Sequence, residues 1–156
     1  MDLYNKQFEL RQETSGYWHN KSHDLLVSAR TLWKAMQSEK DLEINCWATY
    51  KMLIGMSFEL LFKAHCIGSD TEFNPTHDLV ALANTANLPT SKSENKILQV
   101  LSEYVIWDGR YPTPKKPEHL KGHWKNQADL SDEKLDLENL MPLWRRFSDS
   151  FMEQYN

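Results

Sequence analysis

Cysteine is scarce in this chain. Cys46 and Cys66 are the two in 156 residues, too few for a disulfide framework. Glycine is also sparse, at five, and neither a Gly-rich phosphate-loop pattern nor a nucleophile-elbow pattern occurs. There is no internal repeat and no low-complexity tract. The long apolar run, residues 43–67, is interrupted by Glu59 and Lys63, which excludes a membrane span. Met1–Gln12 carries Asp2, Lys6, Glu9 and Arg11 where a secretory signal needs an apolar core, so no signal peptide is expected. Positive charge is not in excess either. With 18 Lys and Arg against 22 Asp and Glu, the net charge is −4. A surface that grips nucleic acid all over is usually basic, so any such contact here must be local.

Aromatic residues are plentiful: six Trp, six Tyr and six Phe. Each is worth up to ~3 kcal/mol when fully buried. That is enough material for one domain with a real core, residues 1–156, with 1–16 as an N-terminal arm. Residues 43–67 are apolar nearly all the way round, contain no proline and are too long for a strand. Trp47, Ile54, Phe58 and Leu61, and again Met52, Leu53, Met56 and Leu60, recur at helical spacing. The stretch is predicted to be a buried central helix. Glu59 and Lys63 stand in the favourable order for an i,i+4 ion pair. Gly55 is expected where another helix crosses closely, and Gly68 as the C-terminal stop. On such a helix Cys46 and Cys66 lie about 30 Å apart. They are expected as free thiols, which fits a reducing cytoplasm.

In chain order, residues 1–13 are either a short amphipathic helix or a frayed arm, broken by Gly16. Tyr17 to Ser38 carries a helical stripe of Trp18, Leu25, Leu26, Ala29, Leu32, Trp33 and Met36. Residues 39–43 are a short polar link, which makes the flanking helices antiparallel neighbours. Thr76 is the expected N-cap of a short helix from His77 to about Asn87, ended by Pro89. Ser91 and Glu94 have capping-box spacing for a helix running to about Trp107. Three prolines in Pro112–Pro117 predict an extended segment. Residues 118–129 are read as polar and irregular, and 131–139 as about a turn of helix. Leu140, Leu143, Trp144, Phe147, Phe151 and Tyr155 mark the last helix, with Pro142 in its first turn. The predicted fold is all-α: an antiparallel up-and-down bundle with one long Pro-rich loop before the last helix. Long ordered loops are disproportionately functional.

That loop concentrates cations. Arg110, Lys115, Lys116, Lys121 and Lys125 stand against one acid, Glu118, with Tyr111, His119, His123 and Trp124 interleaved. Cations neutralise phosphates and rings stack on bases, which is the chemistry of a single-stranded RNA site. The competing reading is a solvated loop with Tyr111 and Trp124 tucked onto the bundle. Two His pairs, His19/His23 and His119/His123, have i,i+4 spacing, yet neither is completed to the three or four ligands a metal needs. Gly122 argues against a helix at the second pair. No metal or cofactor is expected. Arg110 either belongs to a remnant catalytic pair with His119 or caps carbonyls at its helix end. His77 reads as a helix-start residue and Glu59 with Lys63 as a structural pair.

Several pieces together resemble bacterial HEPN-domain proteins, over roughly residues 20–155. They are Glu59-Leu60-Leu61-Phe62-Lys63-Ala64, Thr76-His77-Asp78-Leu79, and Leu101-Ser102-Glu103-Tyr104 followed by Trp107-Asp108-Gly109-Arg110-Tyr111-Pro112. The resemblance implies a helical bundle that dimerises with its own copy and works in toxin–antitoxin or phage defence. The ribonucleases among them carry an Arg, four to six residues, then a His. Here the nearest match, Arg110 to His119, has eight residues between. The expectation is therefore a cytoplasmic RNA- or nucleotide-binding protein with no catalytic residues, with an antitoxin protein as a candidate partner. The alternatives are a metal-independent endoribonuclease and a non-catalytic protein-interaction module.

Overall fold

The computed structural model describes residues 1–155, all helical or connecting, with no strand among them. The helices are α1 (Leu3–Glu13), α2 (Ser15–Ser38), α3 (Lys40–Gly68), α4 (Leu79–Thr85), α5 (Lys92–Glu103), α6 (Pro117–Ala128) and α7 (Leu137–Tyr155). A π-turn, Tyr104–Asp108, prolongs α5, and a 3₁₀ turn, Asp132–Leu135, precedes α7.

Cross-helix pairs set the directions. Ser22 meets Ser57 and Trp33 meets Trp47, so α2 and α3 run antiparallel, joined by Glu39 alone. Gly55 lies against Leu101 and Val105, and Met52 against Gly109, so α5 is antiparallel to α3. Phe58 meets Phe147 and His65 meets Phe151, so α7 runs with α3. That is up-down-up-down, as the short connections predict.

The predicted central helix is α3. Tyr50, Ile54, Phe58, Leu61 and Phe62 are wholly buried. Its glycine does what was expected. A Cβ on Gly55 would lie 2.7 Å from Val105 Cγ2 and 3.1 Å from the Leu101 carbonyl, so only glycine admits α5 this closely. Gly109 plays the reciprocal part, where a Cβ would collide with Met52. A polar knot pins three helices: Ser22 Oγ donates to the Ser57 carbonyl at 2.6 Å, Ser57 Oγ to the Ser22 carbonyl at 2.8 Å, and Trp144 Nε1 to Ser57 Oγ at 2.8 Å. Cys46 and Cys66 are free thiols on α3.

Several boundaries differ from expectation, each for a local reason. The first break falls at Thr14, and Gly16 lies inside α2. α1 buries no residue. The link between α2 and α3 shrinks to one residue because α3 begins at Lys40. Asp78, not Thr76, caps α4: its carboxylate accepts from Ala81 N at 3.1 Å. The Ser91–Glu94 capping box is present. Residues 118–129 are not irregular, since Pro117 opens α6 at a position where a missing N–H costs nothing. α7 starts at Leu137, which moves Pro142 out of the first turn. The Glu138 carbonyl that loses its donor is at the exposed surface, where water can take its place.

Candidate nucleic-acid interface

The π-turn creates the site. A bond from Gly109 N to the Tyr104 carbonyl, 2.9 Å, spans five residues and widens the end of α5. Glu103, Tyr104, Trp107 and Asp108 thereby surround one buried side chain of α6, His123. Its Nδ1 lies 2.8 Å from Glu103 Oε2 and its Nε2 2.7 Å from Asp108 Oδ2. The Tyr104 and Trp107 rings stand edge-on to it, each with its centroid 5.0 Å away. Burial alone would lower the pKa of this imidazole. Hydrogen bonds to Glu103 and Asp108, and their charges, outweigh burial and raise it. An imidazolium donating to both carboxylates is the species that satisfies both nitrogens.

Two more polar contacts seat α6. Asn126 Nδ2 donates to Glu103 Oε1 at 2.8 Å, and the Tyr104 hydroxyl donates to Gln127 Oε1 at 2.6 Å. That hydroxyl accepts in turn from Lys51 Nζ at 3.1 Å. Lys51 is 1% exposed, its ammonium over the rings of Trp47 and Tyr104 at 4.2 and 4.6 Å. Burial pulls its pKa down to about 8, against the opposing charges of Asp132 and Asp108.

With α6 docked, the extended segment before it closes a groove of about 510 Å³ lined by His77, Ile106, Trp107, Arg110, Tyr111, Thr113, Pro114, Lys115 and His119. The lining holds two fixed cations and no carboxylate. Arg110 Nη2 donates to the Ile106 carbonyl at 3.0 Å, so it caps the helix end as one sequence reading held, with its guanidinium 5.4 Å from the Tyr111 ring. Tyr111 is 56% exposed, and so free to stack.

Of the nine residues singled out in the sequence, Arg110, Tyr111, Lys115 and His119 come together in this groove. Lys116 is the exposed N-cap of α6. Lys121, Trp124 and Lys125 share the exposed face of α6, with Trp124 63% exposed rather than tucked in. None of the four lysines has an ion-pair partner among the described residues. His123 is the correction. At 1% exposure, with both nitrogens engaged, it holds α6 in place and offers no surface to a ligand. His119, one turn earlier on the same side of α6, stays exposed. His19, from the other spaced pair, is taken up by Ser148 Oγ at 2.8 Å and stacks on Phe151.

One groove residue was passed over in the sequence. His77 is not merely a helix-start residue: its Nδ1 lies 3.0 Å from Glu59 Oε2. Glu59, 5% exposed, also takes Lys63 Nζ at 2.6 Å. With Glu59 as acceptor, Nδ1 carries a proton. The signal was an acid inside an apolar helix, which needs more partners than one lysine supplies. Comparison with protein-family models, curated proteins and solved structures finds no match to this chain.

Proposed function

We propose that the protein binds single-stranded RNA in the groove of Arg110, Tyr111, Lys115 and His119. The observation that carries this is the lining itself: two cations and exposed imidazoles beside an exposed aromatic ring, with no carboxylate. Phosphates take the cations and a base takes the Tyr111 face. Lys116, Lys121 and Lys125 extend the positive surface along α6. A mononucleotide is the smallest ligand with the same chemistry. We also propose kinship with the HEPN-domain proteins, on the motifs that carry Glu59 and His77. With it go the proposals of a cytoplasmic homodimer in a defence or toxin–antitoxin setting. The experiment is titration of a labelled single strand at rising salt. Affinity falls with salt, and Lys115→Ala with Arg110→Ala weakens it and flattens the slope. Equal affinity in wild type and variant contradicts the reading.

A second reading has its own observation. His77, oriented by buried Glu59, lines the same groove as Arg110 and His119. In an endoribonuclease His77 Nε2 would take the 2′-hydroxyl proton as that oxygen attacks phosphorus. His119 would give a proton to the leaving 5′-oxygen as the P–O5′ bond breaks, and Arg110 would hold the phosphate. Turnover of RNA by wild type, abolished in His77→Ala and His119→Ala with binding kept, favours it. Equal turnover in all three means a contaminant.

A further inference from the structure

A second cleft, about 330 Å³, opens between α5 and α6 next to the groove. The two share Ile106, Trp107 and His119 as a common wall. Their charges are opposite. The groove has Arg110 and Lys115, whereas the cleft has Asp78, Glu103 and Glu118 and neither lysine nor arginine. Most of that acidity is already used. Glu103 serves His123 and Asn126, and one Asp78 oxygen caps α4. Glu118 and Gln99, on facing helices, are exposed and have no protein hydrogen-bond or ion-pair partner among the described residues, so both are solvated and open to a ligand. Gly122 lines the cleft and faces open space, where a Cβ would meet nothing within 4 Å.

We propose that this cleft is a base-reading subsite for guanine, in an RNA strand whose phosphates lie in the neighbouring groove. The proposal rests on the RNA reading above. A nucleotide has a donor-bearing flat ring joined to an anionic backbone, and the paired cavities have the complementary polarity in the same order. The apolar wall of Ile106 and Trp107 suits a ring, and the free carboxylate chooses among rings. Guanine alone presents two adjacent donors, N1–H and the 2-amino group, which one carboxylate accepts with both oxygens. Uracil presents one donor between two acceptors, and adenine and cytosine one exocyclic amine beside an acceptor, so each sets a lone pair against Glu118. Gln99 supplies an amide donor for O6.

The test is binding of an oligouridine and of the same strand with one central guanosine or inosine, which lacks the 2-amino group. Wild type is expected to prefer the guanosine strand by on the order of tenfold over the other two. Glu118→Gln and Gly122→Phe, which fills the cleft, abolish the preference and bind oligouridine no worse than wild type. Retention of the preference in both variants, or no preference in wild type while oligouridine binds, overturns the subsite and leaves the RNA reading standing. Failure of every strand to bind overturns both.

Discussion

α3 and α6 are held in the same molecule by different forces. α3 is a 29-residue helix whose core side chains are wholly buried. Its stability comes from apolar area removed from water and from close crossing at Gly55. α6 has one buried residue in twelve, and that residue is a histidine. Its seat is His123, Asn126 and Gln127 on Glu103, Asp108 and Tyr104. The helix that makes the bundle is therefore held mainly by apolar burial. The helix that makes the groove is polar and titratable. A functional wall attached by a few hydrogen bonds can open without disturbing the core.

The largest effect that sharpens this contrast is expected in α3. Phe58→Ala should cost about 3–5 kcal/mol in denaturant unfolding, and the loss should be global. His123→Ala comes next, at about 1–3 kcal/mol, because it leaves two carboxylates without their shared donor. Hydrogen exchange should place that loss in α6 and the π-turn. Equal loss of protection in α2 and α3 would break the distinction.

This difference in forces also decided what the sequence could reveal. Burial writes a period of 3.6 into a sequence, and α2, α3, α5 and α7 were legible from it. α6 has no such stripe. Its partners lie fifteen to twenty-three residues away, from Asp108 to Glu103 and Tyr104, and no local pattern reports them. Pro117 was counted with the loop prolines, although at the first helical position it starts α6. Gly122 read as a helix breaker, yet it faces open space. The cationic residues were visible as a cluster, but which of them share a groove depended on α6 being helical. His77 was invisible as a site residue because it lies in the connection before α4 and its partner Glu59 is on α3, eighteen residues earlier.

A smaller effect concerns pH. The folded pKa of His123 is raised above its ordinary 6.5, so its stabilisation is fully present below that pH. It is lost as pH rises through the folded value. Lys51 has the opposite sign. Its folded pKa is pulled to about 8 from 10.5, so the unfolded chain binds more protons between those values and stability gains there with pH. Unfolding midpoints should therefore fall as pH rises from 6.5 through the raised folded value of His123, with Lys51 opposing the fall above about 8. His123→Ala should remove the first limb and leave the second.

The smallest effect is expected to be favourable. Gly122→Ala places a methyl in open space within a helix and should add about 0.5–1 kcal/mol to α6. Gly55→Ala, by contrast, should destabilise, because Val105 and the Leu101 carbonyl stand in the way.

The central claim is that docked α6 and the segment before it form the RNA-binding face. Backbone amide shifts followed by NMR during titration with a short single-stranded RNA test it most directly. The account predicts perturbations confined to His77, Ile106–Lys115 and the start of α6, fading as salt is raised. Shifts centred on α1 or on the far end of α7, or none at all, would contradict it.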